Sequence, residues 1–497
     1  MYYLLKMKKK EVPPICGYEF EINKIVNSEK GSRQFKNKIN LDNINSGFAC
    51  ALHMHQPTIP AGDNGELISH LQYMFENISE GDNHNAEPFA QCYKRLAEII
   101  PNLIDEGYDP KIMLDYSGNL LWGIEQMGRE DVLNALKLLT CDKTITQHVE
   151  WLGTFWSHAV ASSTPTSDFK LQITAWQHHF AALFGKEALR KVKGFSLPEM
   201  HLPNHPDVLF KLLTALKECG YQWVMVQEHS VENQDGSSLR DEQKYIPNLL
   251  KARSSNGETI SILTLIKTQG SDTKLVGQMQ PYYEALGLSK QNVGKCVIPS
   301  LVSQIADGEN GGGMMNEFPQ AFIQAHRKIG QKTNNSTTIA VNGSEYLDYL
   351  ETTEVNENNY PQIQAVNQHR IWKKTCGSLT PNDLKKAIDE LKEENQSFCL
   401  SGSSWTNELS WVDGYKNVLE PISKLSSYFH ETFDHLLVQN PSLTKTHDYQ
   451  EALLYLLLLE TSCFRYWGQG KWTEYAKTIF RKGEEVIRNF EISAQSS

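Results

Sequence analysis

Lys191 to Glu228 reads KVKGFSLPEMHLPNHPDVLFKLLTALKECGYQWVMVQE, and the order of elements inside this stretch decides the fold class. A short apolar run, KVKGFSL, ends on Pro198 and Glu199, and a loop with Pro203 and Pro206 follows. VLFKLLTALKEC comes next, with Leu209, Leu212, Leu213 and Leu216 spaced to share one helical face. Gly220 supplies the helix stop, and the chain enters a second apolar run, YQWVMVQ, at once. Strand, helix, strand in this rhythm is the βα unit of a parallel sheet or barrel.

Working outward, the same kind of run recurs on both sides: GFACALHMH, KIMLDYSG and TQHVEWLGTFW before the unit, then TISILTLIKT, KCVIPSLVSQIADG and TTIAVNG after it. The reading is an α/β fold over residues 45–375. Beyond about residue 376 the strand rhythm stops. Thr380-Pro381 with Asp383 marks a helix start, and helical segments near 420–438, 447–463 and 471–490 predict a C-terminal helical domain over 376–497. Residues 1–44 are polar and rich in Lys and Asn, and are expected to be a tail with little fixed structure.

Composition narrows the function classes. The 497 residues carry a net charge of -11, with 40% hydrophobic and 22% charged residues, and the sequence pI is near 5.8. Such a chain folds around a sizeable core and repels polyphosphates and anionic membranes, so a neutral substrate fits better than nucleic acid. No apolar stretch approaches the roughly 18 residues of a membrane helix, and the N-terminal MYYLLKMKKK lacks the pattern of a secretory signal. Nine dispersed cysteines without a C-x-x-C pair suit free thiols in a reducing compartment. The expected location is the cytoplasm, and no metal or cofactor is expected.

In a (β/α) barrel the reactive groups sit where strands end. Four polar clusters follow strand-like runs: HMHQP (53–57), VEWLGTFWSH (149–158), GFSLPEMH (194–201) and ADGENGGGMMNEFP (306–319). Glu199 emerges just after a proline that fixes the backbone, and Asp307 ends an apolar run before a glycine, with Glu309 two residues on. Two such carboxyl groups roughly 5 to 5.5 Å apart cleave glycosides with retention, one attacking the anomeric carbon and the other protonating the leaving oxygen. Their environments must differ for the two to hold opposite protonation states. Alone, Glu199 is equally a strand-end ion-pair partner and Asp307-Gly308 a turn. His53 and His55, at i and i+2, would share a face of a continuing strand and could form half a metal site. Imidazole and the Gln56 amide equally suit sugar hydroxyls. Of Trp151, Trp156, Trp223, Trp405, Trp411, Tyr466 and Trp467, most are expected in the core and a few against a sugar ring.

Together and in this order the clusters resemble glycoside hydrolase family 57, the group of α-amylases, 4-α-glucanotransferases, amylopullulanases, branching enzymes and a few α-galactosidases. The resemblance spans about Gly47 to Ala476 through five short regions. It implies an incomplete seven-stranded (β/α) barrel followed by a helical bundle that reaches back to the cleft. It further implies Glu199 as nucleophile, from SLPE, and Asp307 as general acid/base, from D-G-E, with Glu309 a ligand contact. HQP gives His55 and Gln56 a place in substrate binding, with His53 beside them a further candidate, QHVEWLG gives one to Glu150 and, downstream, His158, and TSCFRYWGQG gives one to Tyr466 and Trp467. Trp411 is a further candidate contact. Ser196 stands where the third region usually has Trp, and Cys463-Phe464 where the fifth often has Asp or Asn.

The expectation is a retaining hydrolase or glucanotransferase on α-1,4-linked glucan. A silent α-glucan-binding protein of the same fold, or a metal-dependent sugar hydrolase or deacetylase using His53 and His55, are the alternatives. The last predicts loss of activity in chelator.

Overall fold

A computed structural model describes residues 12–28, 43–268, 276–309, 312–330, 336–353, 355–377, 380–395, 398, 400, 416–466 and 470–495. Seven parallel strands form a barrel: β1 (Ser46–Met54), β2 (Ile112–Tyr116), β3 (Val149–Gly153), β4 (Gly194–Ser196), β5 (Trp223–Gln227), β6 (Thr259–Lys267) and β7 (Ser300–Asp307). Neighbours follow chain order, β7 pairs with β1, and Lys267 opposite Ser303 joins β6 to β7. Asn248–Arg253 adds to β6 antiparallel, and Thr338–Ala340, the TTIAVNG run, pairs with the start of β1. KCVIPSLVSQIADG breaks at Pro299 into a short hairpin strand and β7.

The strands carry apolar residues on both faces, as parallel strands with helices outside must. Alternate residues form one cluster, Ala49, Ala51, Met113, Leu152, Trp223, Met225, Leu265, Leu301 and Ile305, which fills the lumen. Those between them, such as Phe48, Leu114, Trp151, Phe195, Val224 and Val302, join the shell beneath the helices. Gly194 is required where Trp223 fills the lumen: a Cβ there would lie 2.3 Å from the Trp223 ring and 2.9 Å from Leu152. Gly194→Ala is therefore expected to destabilise the fold by about 1–3 kcal/mol through overpacking. A lower midpoint in urea denaturation checks it, and an unchanged midpoint contradicts it.

The helix Pro206–Glu218 buries Leu209, Leu212, Leu213 and Leu216 on one face, as its spacing predicts. Past the barrel, Pro381–Glu394 begins with Thr380 capping the Asp383 amide, but it packs on Gln368–Lys374 around Ile371, Leu384 and Ile388. The bundle proper is Lys416–Gln439, His447–Leu459, Ser462–Tyr466 and Lys471–Gln495. His447–Leu459 is buried all round from Ala452 to Leu459, which makes it the central helix.

The expected polar tail needs correction over residues 12–28. Glu19–Val26 is a helix with Ile22 and Val26 buried, preceded by buried Ile15 and Cys16. The Tyr18 amide donates to His178 Nε2, Lys193 Nζ donates to the Val26 carbonyl, and Cys16 Sγ meets the Thr444 carbonyl. A few well-spaced apolar residues anchor a segment whose overall composition is polar. Residues 1–11 and 29–42 lie outside the described residues.

Candidate active site

The strand alternation that fills the lumen also builds its mouth. Continued to the strand ends, the lumen-facing positions are His53, Asp115, Ser196 and Asp307, and His53 stands in register with both Asp307 and Asp115. Glu199 follows β4 directly. On the closed ring, β4 and β7 are three strand steps apart one way and four the other, so Glu199 and Asp307 come from nearly opposite walls. Both remain partly exposed, the Glu199 side chain at 13%.

Glu199 is held in an unusual backbone conformation, with φ 59° and ψ 16°, and Met200 follows at φ 49°. Left-handed geometry costs an L residue about 1–2 kcal/mol. Two neighbours fix it here: Pro198 restricts the approach, and Met200, 1% exposed, plugs into the lumen cluster. His158 at φ 60° is a further left-handed residue of the same mouth. Strain gathered in this way marks sites where side-chain placement outweighs backbone ease.

Three histidines stack across the mouth. The His158 ring lies 4.6 Å from His53 and 4.1 Å from His55, nearly parallel to the latter at 14°. His158 Nδ1 is 3.6 Å from Glu199 Oε1 and 2.6 Å from Ser462 Oγ. His53 Nδ1 donates to Asp115 Oδ2 at 3.0 Å, while His55 meets Ser117 Oγ at 2.7 Å and Cys463 Sγ at 3.4 Å. Burial pulls the His53 pKa down, but the charge and hydrogen bond of Asp115, with the charges of Asp307 and Glu199, outweigh it and lift it to about 9. Burial and then repulsion by neighbouring imidazoles hold His55 and His158 well below 6.5. These directions make the stack one imidazolium beside two neutral rings.

Beneath the stack, Glu309 Oε1 accepts from the His55 amide at 3.2 Å and from Gln56 Nε2 at 3.3 Å, and His70 Nδ1 donates to Gln56 Oε1. Burial lifts Glu309 to about 8, with the Tyr93 hydrogen bond opposing and the Asp307 charge assisting. Glu309 thus sits buried under the HQP turn and shapes it. Asp115 Oδ1, His158 Nε2 and Ser196 Oγ are buried with no hydrogen-bond partner among the described residues. Three such polar atoms beside Glu199 and Asp307 suit a hydroxyl-rich ligand.

The structure brings together Glu199, Asp307, His53, His55, Gln56, His158 and Glu309, but not Glu150. As the second residue of β3, Glu150 lies at the opposite end of the lumen, where its carboxylate accepts the Ser344 amide at 3.0 Å, at the start of helix Gly343–Thr352. A cavity of about 630 Å³, lined in part by Lys111, His148, Glu150 and Glu345, opens at that N-terminal end, away from the carboxylates. Trp411, Trp467 and Trp405 lie outside the described residues, as does the Tyr466 side chain. Trp151, Trp156 and Trp223 are core. Asp115, Ser117 and Ser462 escaped the sequence reading, although Asp115 closes the run KIMLDYSG as Asp307 closes its own. Among the described residues no group of three or more His, Cys, Asp or Glu could hold a metal ion, and no helix is long and apolar enough to cross a membrane.

Residues 49–270 match the family model described as Glycosyl hydrolase family 57. No curated protein sequence matches the chain. Among solved structures, a 4-alpha-glucanotransferase from Thermococcus litoralis superposes with TM-score 0.53 at 16% identity, over 90% of this chain and 60% of that one. A family 57 branching enzyme from Thermococcus kodakaraensis, in complex with glucose, gives 0.52 at 12%, over 89% and 90%. An exo-type maltose-forming amylase from Pyrococcus sp. ST04 gives 0.51 at 11%, over 90% and 81%. The chain therefore spans less than two thirds of the glucanotransferase, and at these identities the likeness is one of fold.

Proposed function

From the match of residues 49–270 to the glycosyl hydrolase family 57 model, we propose that the chain cleaves or transfers α-1,4-linked glucan by double displacement at Glu199 and Asp307. One observation carries the assignment: both carboxylates bear on the same buried imidazole, His53, which stands in register with Asp307 and stacks on His158, itself 3.6 Å from Glu199.

Glu199 attacks the anomeric carbon as the glycosidic bond breaks, and Asp307 passes its proton to the departing oxygen. Asp307 then takes a proton from the incoming hydroxyl while that oxygen displaces Glu199, restoring both groups. Water as acceptor gives hydrolysis and a glucan hydroxyl gives transfer. The rigid backbone at Glu199 holds the nucleophile on line, which lowers the barrier through positioning. His53 supplies positive charge next to both carboxylates, while Asp115 Oδ1, His158 Nε2 and Ser196 Oγ are placed to meet sugar hydroxyls.

Incubation of the protein with maltooligosaccharides, with and without chelator, tests the reading. The expected result is chelator-insensitive turnover, with shorter products alone for hydrolysis and a ladder extending above the starting length for transfer. Binding without turnover would leave a glucan-binding protein, and loss of turnover in chelator would point to metal chemistry at the histidines.

A further inference from the structure

The joint between barrel and helical bundle holds ionisable groups that the proposed chemistry does not use. Asp168, fully buried at the start of helix Phe169–Phe184, places Oδ1 2.5 Å from Nε2 of His430, whose Nδ1 meets Asp434 at 2.9 Å. Glu460, 1% exposed at the end of the central bundle helix, accepts from Gln172 Nε2 at 2.7 Å. Gln172 stands one helical turn after Asp168, which brings the two carboxyls to one face of the joint, and Asp168 Oδ2 and Glu460 Oε1 are both buried without a hydrogen-bond partner among the described residues. Two carboxylates cannot satisfy each other, whereas a carboxylic acid and a carboxylate can. Burial and the Asp168 charge push the Glu460 pKa well up. For Asp168, burial pulls the pKa up, but the hydrogen bonds of His430, Glu460 and Ser426, with the His430 charge, outweigh it and hold the pKa down.

The same joint leads straight to the mouth. Gln172 Oε1 accepts the Ser157 amide at 3.0 Å and Gln172 Nε2 donates to Ser157 Oγ at 2.8 Å, one residue before His158. One residue after Glu460, Thr461 bridges Ala159. Ser462 then donates its amide to the His158 carbonyl at 2.9 Å, with its hydroxyl on the His158 ring, and Cys463 meets His55. Residues 460–463 therefore run along 157–159 as a strap.

We propose that Asp168 and Glu460 share one proton, and that neutral Glu460 is a positioning residue which locks the 460–463 strap onto residues 157–159 and holds His158 against Glu199. Its consequence for turnover rests on the function proposed above; its consequence for stability does not. Among the described residues, Glu460 faces Asp168 and Gln172 from the barrel side and, through Asp168, His430 and Asp434 of Lys416–Gln439. The titratable groups at the far end of the strap are His158, held by Ser462, and Cys463, whose thiol burial pushes up to about 12.

With its folded pKa raised, Glu460 contributes stability that is fully present below its ordinary 4.5 and lost as pH rises through the folded value. His430 and His53, both lifted to about 9, lose theirs between their ordinary 6.5 and that value, whichever side chain stands at 460. Glu460→Gln, whose amide donates to Asp168 without titrating, isolates the shared proton. The expected result is a Tm that falls less steeply than wild type as pH rises above 4.5, with kcat kept and its alkaline limb moved upward. Glu460→Leu, which fills the space without a donor, is expected to lose about 10²-fold in kcat through misplacement of His158 and Glu199. A Glu460→Gln stability profile that overlays wild type, or a kcat as low as that of Glu460→Leu, overturns the proposal. If wild-type protein leaves α-glucan untouched, the functional reading fails while the stability profile still decides the shared proton.

Discussion

Glu199→Gln is expected to lose turnover of maltooligosaccharides by about 10⁴-fold or more, because an amide cannot form the glycosyl-enzyme bond and a removed nucleophile is not replaced by its neighbours. The substitution is close to isosteric, and the features that hold residue 199 lie elsewhere: Pro198 precedes it and Met200 is seated in the lumen. The fold and the sugar contacts of the mouth are therefore expected to persist. Binding of a maltooligosaccharide, read by calorimetry, should remain while kcat collapses, because the interaction removed is one made in the transition state. The change also removes one of the negative charges that lift His53, so the imidazolium should titrate below its wild-type value of about 9. A His53 resonance followed by NMR through the pH titration would show that shift even in an inactive protein. Turnover near wild type would place the nucleophile at another carboxylate.

The parts of this site that were legible in the sequence are those governed by short-range rules. Each of the apolar runs from GFACALHMH to TTIAVNG contains a strand, because a strand buried on both faces must be apolar and the loop after it polar. Glu199 and Asp307 stood out because each is a carboxylate immediately after such a run. Asp115 obeys the same rule less visibly, because Tyr116 continues the strand after it and blurs the end of the apolar run. Glu150 shows the opposite error: the strand was found, but which end faces the mouth depends on the strand's limits, and Glu150 begins β3 where Gly153 ends it. Residues 15–26 were hidden because four apolar side chains, Ile15, Ile22, Ile25 and Val26, are diluted by Lys and Asn, while their burial is decided by partners as distant as His178 and Thr444. The same holds for Asp168 with Glu460 and for His55 with Cys463, pairings between remote segments that no periodicity encodes.

Asp307→Asn is expected to act differently from Glu199→Gln, and the difference separates the two roles. An amide at 307 can neither protonate a departing sugar oxygen nor deprotonate an acceptor, so kcat on maltooligosaccharides should fall by about 10²–10⁴-fold, the range set by loss of a general acid/base. An aryl α-maltoside with an acidic phenol leaves without help. With that substrate the first displacement survives in Asp307→Asn, the second becomes limiting, and a burst of phenol followed by a slow steady state should appear in rapid-mixing kinetics. Adding azide, a nucleophile that needs no base, should then accelerate the steady state and yield a glycosyl azide. Because Asp307 stands in register with His53 and its charge helps to lift that imidazole, the variant should also bring the His53 titration down from about 9, leaving Asp115 as the main support. Folded-state stability linked to His53 would then be lost over a narrower window above 6.5, with the same sign as in wild type and a smaller size. An equal loss on activated and unactivated substrates, with no burst and no azide rescue, would show that Asp307 binds or positions the sugar, and would leave the acid/base role to another group at the mouth.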